Sequence, residues 1–405
     1  MFQLAQEKKL SQQAVITLFN HSVYHFGNSL STIFLNIYLW RLTNSLLING
    51  LFNLIAIFSQ ALTTFSIGKV AKKKDRLTFY RIGIFLTAFF YLCIIVSQKH
   101  ILNYFYFFAL LRGISQALYW LGYFTLSYEV SSDQNRHRYL GWNQIVMNVT
   151  NLAGPAVASF IISLFVGLKG YTIVFSLAFL MFVIAFGGSF KIKKQTRYRS
   201  YYMKYLPLII KKEPDFKKTL IGWFIIGFPQ GILSFVPSIL LYTIFLNEQP
   251  VAYLNILFFS LSILSSYVIS RFASIEATVQ YLMISAIGFT LSSLPLLFNV
   301  TIGSFVLFMS LNSIFKPLQS NSYEAHYYRW INILPLKEHF RIEAIVLRES
   351  LINIGRSLGV AVFLLFSKEM NSTAFPWIIF SMSIFQWLLP VMAKKRHQVV
   401  KRFQH

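Results

Sequence analysis

The feature that most constrains this chain is the recurrence of apolar runs of about 20 residues, long enough to cross a bilayer core, separated by short polar or basic breaks. Inside hydrocarbon every backbone amide must find its partner within the protein, so runs of this length that span a membrane must be helices. Read in order, the pattern predicts twelve helices, near residues 13–40, 46–68, 81–98, 103–128, 140–166, 170–190, 219–246, 251–270, 277–298, 302–324, 345–367 and 373–393. Composition agrees. Hydrophobic residues are 56% of the 405 positions, only 12% are charged and mean hydropathy is +0.56, whereas a soluble domain carries about a quarter charged residues. The first run opens near residue 13 and is about 28 residues long, which predicts a retained first span rather than a cleaved signal peptide. A lone cysteine, Cys93, rules out an intramolecular disulfide and any cysteine-based metal cluster.

Charge divides the chain in two. Between Lys191 and Lys218 stand ten cations against only Glu213 and Asp215, and the apolar sequence on either side is nearly equal in length. The expected organisation is an N-terminal six-helix bundle over 1–190, a basic cytoplasmic linker over 191–218, and a C-terminal six-helix bundle over 219–405. A nucleic-acid-binding linker is disfavoured, because its flanks are too apolar to remain in water. Of the 37 Lys and Arg residues, 30 fall on one side of the predicted topology and only Arg41, Lys99, Lys169 and Lys368 on the other. Cations are retained on the cytoplasmic side during insertion, so the expectation is a multi-pass plasma-membrane protein with both termini in the cytoplasm. Two mixed aromatic and basic segments, Tyr201–Ile210 and Tyr327–Arg341, are expected at headgroup level.

The spans are unequal in polarity. The first carries His21, His25, Asn28 and Thr32; the fourth Arg112, Gln116, Tyr119 and Tyr123; the tenth Asn312, Lys316, Gln319 and Tyr323. Each set repeats a spacing of four, three and four residues and therefore occupies one helical face. The seventh, with Trp223, Gly227, Gln230 and Ser234 beside Pro229 and Pro237, is a weaker instance. The third and sixth spans have almost no strongly polar residue in their middles, and the ninth and twelfth few. Spans one, four, seven and ten are therefore expected to line a shared aqueous space.

Three cations, Arg112, Lys316 and Arg356, fall inside spans. At about 1.5 Å per residue, Arg112 lies roughly 13 Å from the outer end of its span and Arg356 roughly 16 Å from the inner end of its own. A cation at such depth costs roughly 2.5–3.5 kcal/mol on the gentlest insertion scale, so each needs a cavity or a counter-ion. None of the thirteen acids is mid-span; Glu129, Glu324 and Glu349 lie at helix ends, within reach of Arg348 and loop cations. A positive cavity without its own carboxylate implies that the substrate brings the negative charge, as a carboxylate, phosphate or sulfate. The bland alternative has these cations bonding helix-end carbonyls or glutamates for structure alone. His21 and His25, with Glu129 and Glu324, are the candidates for carrying a coupling proton.

The whole chain resembles the major facilitator superfamily, with two six-helix halves, a long central loop and termini on the same side. Locally, Gly68 followed by Lys69, Lys72, Lys73, Lys74, Asp75 and Arg76 resembles that family's loop between spans two and three, with its Asp displaced. Arg112 fits the fourth-span arginine motif, with Gln116 in place of its downstream glycine. Gly154-Pro155 resembles the core of the fifth-span antiporter motif, with Ala158 and Ser159 for its trailing glycines. The resemblance implies a rocker-switch transporter in which spans one, four, seven and ten line the cavity and three, six, nine and twelve lie outermost. It also implies gating roles for Gly68, Asp75, Arg76, Gly154 and Pro155.

The expectation is thus a bacterial secondary transporter of a small anionic or amphipathic solute, exporting by proton antiport, monomeric and without cofactor, metal or enzymatic activity. Its substrate-binding residues would be His25, Asn28, Arg112, Gln116, Tyr119, Gln230, Asn312, Lys316 and Arg356. Alternatives are a flippase for an anionic lipid or lipid-linked precursor, a non-transporting sensor or scaffold, and a membrane transferase, for which the only acid–base pair on offer is Glu338-His339.

Overall fold

The computed structural model describes residues 10–73, 75–131, 135–193, 200–272, 276–334, 336–367 and 373–394, and among them the regular structure is entirely helical. The first half comprises α1 (Gln12–Thr43), α2 (Leu46–Lys73), α3 (Arg76–Ser97), α4 (Phe105–Val130), α5 (Arg136–Ser163) and α6 (Lys169–Ser189). A short α7 (Leu206–Lys212) follows in the linker. The second half comprises α8 (Pro214–Leu233), α9 (Val236–Phe245), α10 (Glu248–Phe272), α11 (Thr278–Phe298), α12 (Ile302–Ile333), α13 (Arg341–Phe366), α14 (Ala374–Phe385) and α15 (Leu388–Ala393). Span seven is α8 with α9, and span twelve is α14 with α15, so twelve spans form two six-helix bundles.

Nine stretches among the described residues are long and apolar enough to cross a membrane, one of them running through α3 and α4 together. The two spans that fall short are α1 and α12, each 32 residues long. Both carry polar stripes, and the stripes that lower their hydropathy are what a cavity-lining helix needs.

Several boundaries differ from expectation. α12 runs nine residues past 324 because Tyr327, Trp330 and Ile331 lie on one helical face and bury it against Phe216, Trp223 and Ala344. The Tyr327 end of the segment expected at headgroup level is therefore core. The seventh span starts at Pro214, since proline at a helix's first turn has no orphan amide to leave unpaired. It breaks at Ser234–Phe235, between the expected bend residues Pro229 and Pro237. The linker is not wholly irregular: α7 buries Ile209 and exposes Lys211 and Lys212.

Within the first half α1 packs on α5 and α6, α4 on α2 and α3, and α3 on α6; within the second, α13 packs on α8, and α12 on α10 and α11. The halves meet through α2 with α13, α5 with α10, and α1 with α9. Phenylalanines and leucines on the outer faces, such as Phe85, Phe160 and Leu264, remain exposed, as a lipid-facing surface requires. The α8–α13 contact is the tightest. A Cβ on Gly227 or Gly231 would run into the carbonyl oxygens of Ile352 or Arg356, and one on Gly355 or Gly359 into those of Phe224 or Phe228. Four reciprocal glycines thus bring two backbones together, and so fix Gln230 beside Arg356.

Candidate functional site

A cavity of about 320 Å³ lies where the two halves meet. The first half contributes Asn28, Thr32 and Asn36 from α1, Asn53 and Gln60 from α2, and Arg112 and Gln116 from α4; the second contributes Gln230, Ser234, Lys316, Asn353 and Arg356. None of the lining residues is acidic. The expected faces of α1, α4, α8 and α12 supply part of this lining, and α2 and α13, spans two and eleven, supply the rest.

The three cations differ in how they are held. Arg356 is clamped: its Nε and Nη2 donate to Gln230 Oε1 at 3.2 and 2.7 Å, and Nη1 donates to Asn353 Oδ1 at 3.0 Å. These neutral oxygens orient the guanidinium without neutralising it, and Glu349, whose charge acts on it, is paired directly with Arg348. Arg112 stands 5.8 Å over the Phe90 ring, and Lys316 is exposed to the cavity. Neither has a hydrogen-bond or ion-pair partner among the described residues.

Of the nine expected substrate residues, six share this cavity: Asn28, Arg112, Gln116, Gln230, Lys316 and Arg356. Asn312 lies one turn of α12 away and lines a neighbouring cavity. His25 and Tyr119 stand behind the wall. His25 Nδ1 is 3.2 Å from Thr150 Oγ1, while the Tyr119 ring stacks on Tyr24 at 3.4 Å. His21 is buried next to them, with Nδ1 2.6 Å from the Tyr119 hydroxyl, its ring stacked on Tyr123 at 3.8 Å, and Nε2 without a partner. Gln116 connects wall and cluster by donating to the Tyr24 hydroxyl at 3.2 Å. A helical stripe spans a wider arc than one cavity wall, and this separates Gln116 from Tyr119. The sequence reading missed Asn36, Asn53, Gln60 and Asn353. Asn53 and Gln60, seven residues apart on one face of α2, were the available signal.

Ion pairs join the halves at both ends. At the end where the linker lies, Lys72 on α2 donates to Glu343 on α13 at 2.6 and 2.8 Å and to the His339 carbonyl at 2.6 Å, with Nζ 4.7 Å over the Tyr202 ring. Glu343 also accepts the Tyr202 amide at 2.6 Å. Burial and the Glu343 carboxylate push the nearby Tyr201 phenol up to about 12. Gly68 lies against Val346 and the Tyr201 hydroxyl, 2.9 Å from where its Cβ would stand. Asp75 caps α3, accepting from the Leu77 amide at 3.1 Å, and Arg76 pairs with Glu129 of α4. Arg348 donates to Glu324 at 2.7 Å and pairs with Glu349 at 2.9 Å, its guanidinium 5.0 Å over Phe124 of the first half. At the far end Arg41 donates to Glu248 and to the Gly167 carbonyl, each at 3.0 Å, and Tyr171 donates to Glu248 at 2.7 Å. On α5, Gly154 lets α1 approach so closely that a Cβ would strike Ser29, and Pro155 follows within the helix. The Glu338 side chain lies outside the described residues; His339 is exposed.

The sequence model described as Major Facilitator Superfamily matches residues 17–328, well over half of the chain. The chain belongs to the major facilitator superfamily. An uncharacterized protein of Bacillus subtilis, YqgE, is 25% identical over 343 residues, 85% of this chain and 80% of that one. An uncharacterized protein of Geobacillus stearothermophilus is 30% identical over 172 residues, 42% of this chain and 80% of that one. The fold is shared with a bacterial homologue of the iron transporter ferroportin in an outward-facing state, at a TM-score of 0.70, 13% identity and coverage of 95% and 98%. It is shared equally with a D-xylose-proton symporter (TM-score 0.69, 12% identity, coverage 94% and 96%). The human organic anion transporter MFSD10 is a further match (0.67, 11%, 96% and 100%). These identities speak for the fold alone. As a superfamily member, the protein is a multi-pass membrane protein whose work is secondary transport of a small molecule.

Proposed function

We propose that the protein moves a small anionic or amphipathic solute by alternating access, with residues 1–190 and 219–405 closing in turn about the central cavity and 191–218 lying on the cytoplasmic side of the plasma membrane. The observation that carries this reading is the cavity's charge: Arg112, Lys316 and Arg356 enter it from both halves and no lining residue is acidic. Arg356 is held by Gln230 and Asn353, but Arg112 and Lys316 have no such partners among the described residues, and the carboxylates that could serve them are taken: Glu129 by Arg76, and Glu324 and Glu349 by Arg348. An anion bound between Arg112 and Lys316 would bridge the two halves and favour their closure.

The test is flux in proteoliposomes of phosphate, sulfate and small carboxylates against organic cations of similar size. Arg112→Ala and Lys316→Ala should each weaken anion affinity about 10- to 100-fold, the loss expected of one hydrogen bond to a charged group. Unchanged affinity in both would overturn the reading, and a complete absence of flux would favour a sensor or scaffold.

Proton antiport in the direction of export is the coupling we favour, supported by the Gly154-Pro155 pair on α5. Because Glu129 and Glu324 are paired, the proton site falls to the buried histidines. His21 has a vacant Nε2 and faces His25 on α1 and Tyr119, Trp120 and Tyr123 on α4. His21→Gln should remove the dependence of exchange on a pH gradient while anion binding persists; gradient dependence unaltered in both His21→Gln and His25→Gln would exclude them.

A second reading, a flippase for an anionic lipid, draws on a groove of about 620 Å³ between α1 and α5 lined by Leu18, Phe19, Trp142 and Arg138. It shares no lining residue with the central cavity, and lipid scrambling by the reconstituted protein would be needed to prefer it.

A further inference from the structure

The central cavity adjoins an apolar recess. A second cavity, of about 30 Å³, lies within the second half between α8, α11, α12 and α14, and shares Gln230, Leu233 and Lys316 with the first. Its apolar walls include Ile226, Phe289, Phe308, Ile379 and Met382. Of the polar groups around it, Asn312 and Lys316 face the mouth shared with α12, and those deeper in are engaged by the protein. Gln319 donates to Gln386 at 2.9 Å, Gln386 donates to the Ile225 carbonyl at 3.1 Å, and Ser383 donates to the Ile379 carbonyl at 3.0 Å. A buried water wants two to four polar partners, and this space is better matched to hydrocarbon. Lys316, exposed at the shared wall, holds a charge where the apolar walls begin.

We infer that the transported solute is an organic anion with a short aliphatic end, its charged head on Lys316, Arg112 and Arg356 and its hydrocarbon terminus in the recess behind Lys316. The inference rests on the anion reading above and narrows it. On the scale where one water needs roughly 10–15 Å³, the recess admits a terminus of roughly two or three carbons. Inorganic anions carry the charge without the apolar end, and solutes charged at both ends would set a second charge against Phe289 and Phe308.

The test is a chain-length series, acetate through hexanoate, with phosphate and sulfate alongside, measured by binding to the purified full-length protein in nanodiscs. Affinity is expected to climb about fourfold per methylene as far as propionate or butyrate and then to level off. Ser383→Leu, which fills the recess from α14, should flatten the series. Phe308→Ala, which enlarges it, should move the plateau to longer chains, so that the two variants err in opposite directions even if one folds poorly. A wild-type series without chain-length dependence, or one that neither variant alters, overturns the recess assignment while leaving the anion reading intact. Binding of none of these anions, phosphate and sulfate included, is the separate result that sinks the anion reading itself.

Discussion

Removing one partner of the Lys72–Glu343 pair should open the end of the molecule where the linker lies. Both side chains are essentially inaccessible, at 1% and 0% exposure, and they join α2 of one half to α13 of the other. Breaking a buried pair by deleting one partner costs about 3–5 kcal/mol, because the remaining charge stays buried. Here the remainder is partly compensated. In Lys72→Met, Glu343 retains the Tyr202 amide at 2.6 Å, and in Glu343→Gln, Lys72 retains the His339 carbonyl at 2.6 Å. The lower end, about 3 kcal/mol, is therefore expected. When this end opens, both groups reach water, so the cost falls on the closed conformer alone. A shift of about 3 kcal/mol changes the open-to-closed ratio on the order of 100-fold.

Leu121 reports on it, being 1% exposed and packed with Ala71 of its own half and with Ile345 and Val346 across the interface. With the one native cysteine replaced (Cys93→Ala), maleimide labelling of Leu121→Cys should accelerate on the order of 100-fold in Lys72→Met. Adding Glu343→Leu should return most of the difference, since apolar pairs of similar volume often replace buried ion pairs at little cost. If both single variants fold and label no faster than the parent, or if the double variant labels as fast as the singles, the pair is a structural tie common to every conformer and the gating argument is wrong.

The far-end pair gives a contrast: Arg41 and Glu248 are 26% and 12% exposed, so Arg41→Ala should alter labelling of a cysteine at buried Leu46 by less than about fivefold, within the 0–1 kcal/mol of solvent-accessible pairs. Gly231→Ala should lower the unfolding midpoint by an amount equivalent to about 1–3 kcal/mol, as its Cβ meets the Arg356 carbonyl, whereas Gly141→Ala in α5, with nothing within 4 Å of the new methyl, should raise it by the equivalent of about 0.5–1 kcal/mol, the helix preference for alanine over glycine. Arg76→Gln should destabilise more than Arg76→Gln/Glu129→Gln, because the single change leaves the Glu129 carboxylate buried without its cation; equal midpoints would show that the pair is solvated. Trp223→Phe should keep most of the ring packing on Tyr323 and Tyr327 but remove the indole beneath Arg348, a loss of about 0.5–2 kcal/mol by thermal unfolding.

Helix number, and the placing of Arg112, Lys316 and Arg356 within helices rather than loops, were readable without coordinates, because a bilayer ties hydrophobic length to helix count and penalises every charge along the way. Asp75 and Arg76 were likewise visible as a basic turn resembling a known loop. What the residue string could not say was which charges meet. Lys72 finds Glu343 some 271 positions away, and Arg76 rather than Asp75 forms the ion pair to α4, because such partners are chosen by helix rotation and by how closely α2 approaches α13. The same limit separates Gln116, which reaches the cavity, from Tyr119, which sits behind it against His21. Periodicity assigns both to one face, but only packing says how much of that face the neighbouring helices cover. The recess beyond Lys316 is likewise a product of assembly: its walls come from four helices, and no single stretch of sequence contains enough of them to announce it.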